Sequence, residues 1–138
     1  MEYRQFGPEE TGALMGLHLK YKEAVGETPP DLHGKERLEE AVRLGRIRFF
    51  GAWDGDVPVG CCSVTVGFST FDYRPSGVFE DFYILPEYRG RGIARRLVQY
   101  AYEESGVSVM TVGCADCDLE MYRSLGFRIR LGNLLAFA

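Results

Sequence analysis

The stretch that decides the reading is Val78-Phe79-Glu80-Asp81-Phe82-Tyr83-Ile84-Leu85-Pro86-Glu87-Tyr88-Arg89-Gly90-Arg91-Gly92-Ile93-Ala94-Arg95-Arg96-Leu97. Its first eight residues are aromatic or aliphatic apart from two adjacent carboxylates and predict a strand, which Pro86 ends because proline has no amide proton to donate. From Ile93 onward, Ile93, Ala94, Leu97, Val98 and Ala101 recur at three- and four-residue spacing, the apolar stripe of a helix that packs on a sheet. Between strand and helix lies the turn Arg89-Gly90-Arg91-Gly92.

The first turn of a helix leaves amide N–H groups without intrahelical acceptors, and the helix dipole adds partial positive charge at the same end. Gly90 and Gly92 let a ligand come close to that backbone, and Arg89 and Arg91 add full charges, so a phosphate is the expected guest. Spacing separates the families of phosphate turn. A dinucleotide turn asks for glycine or alanine where this chain has Arg95, and a nucleoside-triphosphate loop asks for Gly-Lys-Ser/Thr, which is absent. What remains is Arg-x-x-Gly-x-Ala, spelled by Arg89, Gly92 and Ala94.

The 138 residues are 46% apolar, enough for one domain with a real core, so residues 1–138 are expected to fold as a single unit. The formal charge of −4 argues against a nucleic-acid partner held through its phosphates and suits cationic substrates. No apolar run approaches the roughly 18 residues of a membrane span, and Met1-Glu2-Tyr3-Arg4-Gln5 carries no apolar signal core, so no membrane partner and a cytoplasmic location are expected. Cys61 and Cys62 fall within a predicted strand and read as core residues. Cys114-Ala115-Asp116-Cys117 has the spacing of a metal or redox pair, but no second such pair exists and His18 and His33 are remote in sequence, so no metal is expected.

In chain order, the pattern predicts helices over Pro8–Glu23 and Leu32–Leu44, then a hairpin of strands Arg48–Trp53 and Val57–Phe68 about Asp54-Gly55-Asp56. A loop over Ser69–Gly77, the central strand and the helix beginning at Ile93 follow. Val107–Val112 then completes a parallel strand–helix–strand unit. A short helix over Asp116–Leu125, capped by Gly126, and a closing hairpin of Arg128–Leu131 with Leu134–Phe137 finish the chain.

The run Leu85-Pro86-Glu87-Tyr88-Arg89-Gly90-Arg91-Gly92-Ile93-Ala94 resembles the acyl-CoA pyrophosphate loop of the GNAT (Gcn5-related N-acetyltransferase) superfamily. The order of predicted elements is similar over nearly the whole chain, and the specific motifs lie in Glu80–Arg96 and Tyr122–Phe127. The resemblance implies an α/β fold with a mixed central sheet of six to seven strands, antiparallel in its N-terminal part and with one parallel β-α-β unit, flanked by about four helices. Glu80-Asp81-Phe82 also resembles the central-strand opening of the diamine (spermidine/spermine) acetyltransferase subgroup.

The same resemblance implies the chemistry: acetyl transfer from acetyl-CoA to a primary amine, by direct attack without a covalent acyl-enzyme. It assigns Phe82, Tyr83 and Ile84 to the pantetheine arm, with a backbone N–H of that stretch for the oxyanion, and Arg89, Gly90, Arg91, Gly92, Ile93, Ala94 and Arg95 to the diphosphate. A lysine-like amine, with a pKa near 10.4, must lose a proton before attack, and Glu80 is the candidate base, with Asp81 beside it as a second anchor for the ammonium. On a regular strand only one of the two carboxylates faces the acyl group; a bulge would change that. Tyr122, four residues before Gly126-Phe127, is the candidate acid for the departing thiolate. Ala115 and Asp118 depart from the family pattern, which often has asparagine and alanine there, so a cofactor contact is lost at Ala115. The segments Phe68–Tyr73 and Glu23–His33 are expected to line an acceptor pocket for a small-molecule amine. Family members are frequently homodimers. The competing readings are a protein or peptide N-acetyltransferase and a catalytically silent CoA-binding module.

Overall fold

A computed structural model describes residues 1–138. Strand β1 (Glu2–Gln5) leads through a 3-10 turn at Pro8–Glu10 into helices α1 (Thr11–Ala24) and α2 (Leu32–Arg43). Strands β2 (Ile47–Asp54), β3 (Val57–Ser69) and β4 (Arg74–Ile84) follow, then a 3-10 turn at Pro86–Tyr88, helix α3 (Ile93–Ser105), strand β5 (Val109–Thr111), a third 3-10 turn at Asp116–Asp118 and helix α4 (Leu119–Ser124). The five strands form one sheet in the order β1-β2-β3-β4-β5. Pairing is antiparallel from β1 to β4 and parallel between β4 and β5, so α3 is the crossover between two neighbouring parallel strands.

Alternation along β2, β3 and β4 sends side chains to two separate cores. Phe50, Ala52, Val59, Cys62, Val64, Phe79 and Ile84 pack with Ile93, Leu97, Val98 and Ala101 of α3, joined by Tyr122, Leu125 and Phe127 from the α4 region. On the opposite face Phe49, Trp53 and Cys61 pack with Phe6 and with Leu14 and Leu17 of α1, flanked by Leu38 and Val42 of α2. Cys61 and Cys62 therefore fill opposite cores, as their adjacent positions on a strand require. Asp31 accepts the Gly34 amide at 2.7 Å and so caps α2.

The sheet has five strands rather than six to seven. The expected hairpin of Arg128–Leu131 and Leu134–Phe137 is not formed: nothing beyond Ser124 is helix or strand, and no amide from Arg128 to Ala138 donates to another backbone group. A strand needs a neighbour to satisfy its amides, and this chain leaves the outer edge of β5 and its own tail unpaired. Two smaller differences arise at β4 and β1. Strand β4 begins at Arg74, because its pairing with β3 runs out to Arg74 opposite Ser69, so the expected loop shrinks to a tight turn. Strand β1, which no pattern announced, is held by its antiparallel pairing with β2 from Glu2 opposite Trp53 to Gln5 opposite Phe50.

Leu97 is fully buried beneath α3 whereas Gln99 is exposed. Leu97→Ala is expected to cost about 2–5 kcal/mol of unfolding free energy in urea titrations, and Gln99→Ala within about 0.5 kcal/mol. Similar small losses for both would contradict the docking of α3 on the sheet.

Candidate active site

The site is built on an irregularity of β4. Its pairing with β3 sets Ser63 opposite Glu80 but Cys61 opposite Tyr83, so β4 carries one extra residue in that interval. Asp81 takes a positive φ of 55°, unusual for a residue other than glycine, and its carboxylate Oδ2 accepts the fully buried Ser63 hydroxyl at 2.6 Å. Phe79 and Phe82, three residues apart, both turn toward the α3 core with ring centroids 5.4 Å from each other. Glu80 and Asp81 between them therefore lie together on the α1 side, the arrangement that a regular strand forbids.

Strand β5 pairs with β4 only at Ser76, Gly77 and Val78. From Phe79 to Ile84 the strand has no neighbour on that side. Leu85 N–H bonds back to Val59 on β3, so the preceding Ile84 faces the other way, and its carbonyl accepts Arg89 Nε at 2.9 Å. By alternation the amides of Phe82 and Ile84 face the open edge, while Tyr83 faces β3. Two main-chain donors thus line a cleft between diverging parallel strands.

At the far end of that cleft, six consecutive amides, Gly90 to Arg95, donate to no group in the protein; the first bond of α3 is Arg96 N–H to Gly92 O, at 3.3 Å. Gly90 and Gly92 hold φ of 76° and 81°, which turns these amides outward together, and the space above both glycines is open, with no heavy atom within 4 Å of a notional Cβ. The arginine side chains are braced by main-chain carbonyls. Arg91 donates to Glu87 O at 2.9 Å and lies over the Tyr88 ring, Arg89 is drawn back to Ile84 and lies over Tyr83, and Arg95 donates to Ser124 O at 2.6 Å, tying α3 to the end of α4. Bare amides, the dipole of a 13-residue helix and braced cations together make a place suited to an anion.

Tyr122 stands between Phe82 and Phe127, at 6.3 Å and 5.8 Å between ring centroids, and its phenol is pushed up by burial and by the nearby Asp118 and Cys114. From the other side of the sheet, Tyr21 of α1 meets Tyr83 edge-on at 6.4 Å. Its phenol is pushed up to about 12 by burial and by the negative charges of Asp81, Glu27 and Glu80. Burial, then the charges of Asp81 and Glu27, raise the Glu80 carboxyl above the usual carboxylate range. His18, buried beside Tyr21 and Phe49, is pushed down mainly by desolvation, and its Nδ1 has no hydrogen-bond partner.

Three of these residues escaped the sequence reading. Tyr21 and His18 fit the inward stripe of α1 and read as core; Ser63 is one polar residue in an apolar strand. Only the three-dimensional placement of α1 over the bulge brings them to the site. In the Glu23–His33 segment Glu27 is held by Lys22 at 3.0 Å. The Phe68–Tyr73 turn does not reach the bulge: Glu80 is seven residues along β4 from Tyr73, about 23 Å at strand rise, so Phe71 and Tyr73 stand exposed at the far tip of the hairpin. Cys114 and Cys117 are free and exposed, and Cys61 and Cys62 are buried with raised thiol pKa values, so none of the four is a prepared nucleophile.

A family model described as acetyltransferase (GNAT) domain matches residues 45–129. No curated protein sequence matches the chain. Among solved structures, a probable acetyltransferase aligns with 100% of this chain and 99% of its own at 23% identity and a TM-score of 0.85. An aminoglycoside acetyltransferase from an uncultured soil metagenomic sample, in complex with sisomicin, covers 99% of this chain and 94% of its own at 15% identity and a TM-score of 0.84. A predicted acetyltransferase with acetyl-CoA from Clostridium acetobutylicum covers 99% and 95% at 14% identity and a TM-score of 0.78. These likenesses are of fold.

Gly92 is required by its positive φ and not by crowding. Gly92→Ala is therefore expected to cost about 1–2 kcal/mol in thermal or urea unfolding. Unchanged stability would mean that the turn does not hold the left-handed conformation on which the outward-facing amides depend.

Proposed function

The chain belongs to the GNAT acetyltransferase family, and on that premise we propose that it moves an acetyl group from acetyl-CoA to a primary amine of a small cationic molecule such as a polyamine. It is an acyl-CoA-dependent N-acetyltransferase. No helix is long and apolar enough to cross a membrane. The observation that carries the finer reading is the β4 bulge, which sets Glu80 and Asp81 on one face beside the open strand edge.

Bound acetyl-CoA supplies the activated acyl group as a thioester. In this reading the amides of Gly90 to Arg95 hold its diphosphate, Phe82 and Ile84 flank the pantetheine arm, and one of their N–H groups receives the charge that develops on the acyl oxygen. Glu80 and Asp81 hold the incoming ammonium. Glu80 takes a proton from it directly or through water, and its raised pKa narrows the gap to an amine near 10.4. Tyr122 gives its proton to the departing sulfur. Passing a proton from a phenol raised by burial to a thiolate near 8.5 is uphill, a step that closes when the phenolate recovers a proton released from the nitrogen. Burial keeps Tyr122 protonated throughout the working pH range.

Support for a small cationic acceptor comes from the two adjacent carboxylates on one face of the bulge and from the Glu80-Asp81-Phe82 resemblance to diamine acetyltransferases. The fold-level likeness to an aminoglycoside acetyltransferase points the same way, since that protein binds sisomicin. The deciding experiment is thiol release from acetyl-CoA with polyamines, aminoglycosides, amino acids and peptides as acceptors. Turnover with polyamines above the rest supports the proposal. Peptide turnover alone would favour a protein-modifying enzyme, and tight CoA binding without turnover a silent module.

Tyr122→Phe is expected to lower kcat about 10²–10⁴-fold while acetyl-CoA affinity changes little, because the proton is needed only as sulfur leaves. Gly92→Glu is expected to abolish CoA binding in calorimetric titration; retained affinity would move the diphosphate elsewhere. For pH dependence, a base must be ionised to act. Activity should hold above the raised Glu80 value and fall as pH drops through it, on a limb above the ordinary carboxylate range. Glu80→Gln should lower the rate and remove that limb; a wild-type acid limb that survives in the variant would take Glu80 out of the proton path.

A further inference from the structure

Ser63 is out of place by composition. Three buried residues carry a polar side chain, and of these His18 lies on α1 and Ser105 on α3, so Ser63 is the one inside the sheet. Its neighbours along β3, Cys61, Cys62 and Val64, are hydrophobic and fully buried. A fully buried hydroxyl has no water to answer it and must find its partner in the protein. Ser63 finds the Asp81 carboxylate across the β3–β4 ladder, at 2.6 Å, and a hydrogen bond to a carboxylate is of the stronger kind.

Asp81 depends on that partner. Its φ of 55° belongs to a region that glycine enters freely and aspartate enters when its short side chain is hydrogen-bonded close by. No amide of its own segment bonds that carboxylate. The side-chain hydrogen bonds at Asp81 come from β3 alone: the Ser63 hydroxyl donates to the carboxylate and the Cys61 thiol to the main-chain carbonyl, at 3.5 Å. Cys61 and Ser63 share one face of β3, and the shift in register falls between them, with Cys61 opposite Tyr83 and Ser63 opposite Glu80. The two donors therefore grip the extra residue of β4 from both sides of the gap. Helix α1 adds no hydrogen bond to Asp81; its buried His18, edge-on to the Phe49 that pairs with Ser63, keeps Nδ1 without a partner.

We propose that Ser63 is a positioning residue for the transfer reaction: its hydroxyl holds Asp81 in the left-handed conformation, and that conformation sets Glu80 on the α1 face beside the open edge of β4. Without the hydroxyl the carboxylate loses its tie, Asp81 relaxes to an extended φ, and the regular strand that results sends Glu80 and Asp81 to opposite faces. A neutral side chain on the neighbouring strand thus fixes where the base stands while touching neither substrate nor cofactor. That Glu80 is the base is the premise taken from the proposed function; the hold of Ser63 on the bulge stands without it. Glycine at position 81 separates the two, because it takes a positive φ at no steric cost and keeps the bulge whether or not residue 63 carries a hydroxyl.

The test crosses the two substitutions in the full chain. Crystal structures should show Asp81 at negative φ in Ser63→Ala, and residue 81 at positive φ in Asp81→Gly and in the double variant. With spermidine and acetyl-CoA, Ser63→Ala should lower kcat/KM for the amine roughly 10–100-fold while acetyl-CoA affinity and circular dichroism stay as in the wild type. Its acid limb should move to lower pH, because the Asp81 charge that helps to raise Glu80 is no longer held beside it. Asp81→Gly has a cost of its own as the loss of an ammonium anchor, but adding Ser63→Ala to it should cost no more than about twofold further. Equal losses from Ser63→Ala in both backgrounds overturn the proposal, as does a Ser63→Ala crystal that keeps Asp81 near φ 55°. A loss of fold in Ser63→Ala that Asp81→Gly does not restore overturns it too. The premise fails separately, through a Glu80→Gln variant that keeps the wild-type acid limb; if spermidine is not turned over, the crystal structures alone decide for or against Ser63.

Discussion

The structure depends on a run of main-chain donors that the protein itself leaves unanswered. A buried amide without an acceptor costs about 1–3 kcal/mol, so such groups survive only where water or a ligand can reach them. Between Gly90 and Arg95 six of them face outward together, because two glycines sit at positive φ where the chain passes from a 3-10 turn into α3. Everything around that turn holds it still. Ile93 and Leu97 anchor the helix in the core, Arg89 and Arg91 bond to carbonyls preceding the turn, and Arg95 reaches across to α4. The seat is rigid because its neighbours are packed and its cations are already committed to carbonyl oxygens.

A second departure from regularity supplies the chemistry. A sheet in which β4 and β5 paired along their full length would bury the amides of Phe82 and Ile84 in a ladder, and a strand without the extra residue would turn Glu80 and Asp81 to opposite faces. The bulge at Asp81, pinned by the Ser63 hydroxyl, and the divergence after Val78 prevent both. The result leaves the amides of Phe82 and Ile84 on the open edge of β4 and sets Glu80 and Asp81 together on the α1 face beside it. Charge and burial around it act in one direction, raising Glu80, Tyr21 and Tyr122 together.

The order of helices and strands and the turn at Gly90–Gly92 were legible in the sequence because they rest on local physics: apolar period, proline as a stop, glycine where φ must be positive. The bulge was legible only through the family resemblance, since alternation across Glu80 and Asp81 looks the same whether or not a residue is skipped in the pairing. Tyr21 and His18 were hidden for another reason. Their spacing along α1 is that of core residues, and they do pack as such, so only the placement of α1 over β4 marks them out. The charges of Arg89 and Arg91 beside the turn were legible but their bracing was not, because it rests on side chains long enough to reach nearby carbonyls. The tail shows the limit of pattern most plainly. Arg128 to Phe137 reads as strand, and that preference says nothing about whether a neighbour is at hand to pair with it.

The most direct test of the account is amide NMR during titration with coenzyme A, followed residue by residue and repeated with pantetheine, which lacks the diphosphate. The account predicts large shifts at Gly90 to Arg95 with coenzyme A and none there with pantetheine. Unmoved resonances in that turn under saturating coenzyme A, or equal shifts with both ligands, would contradict it.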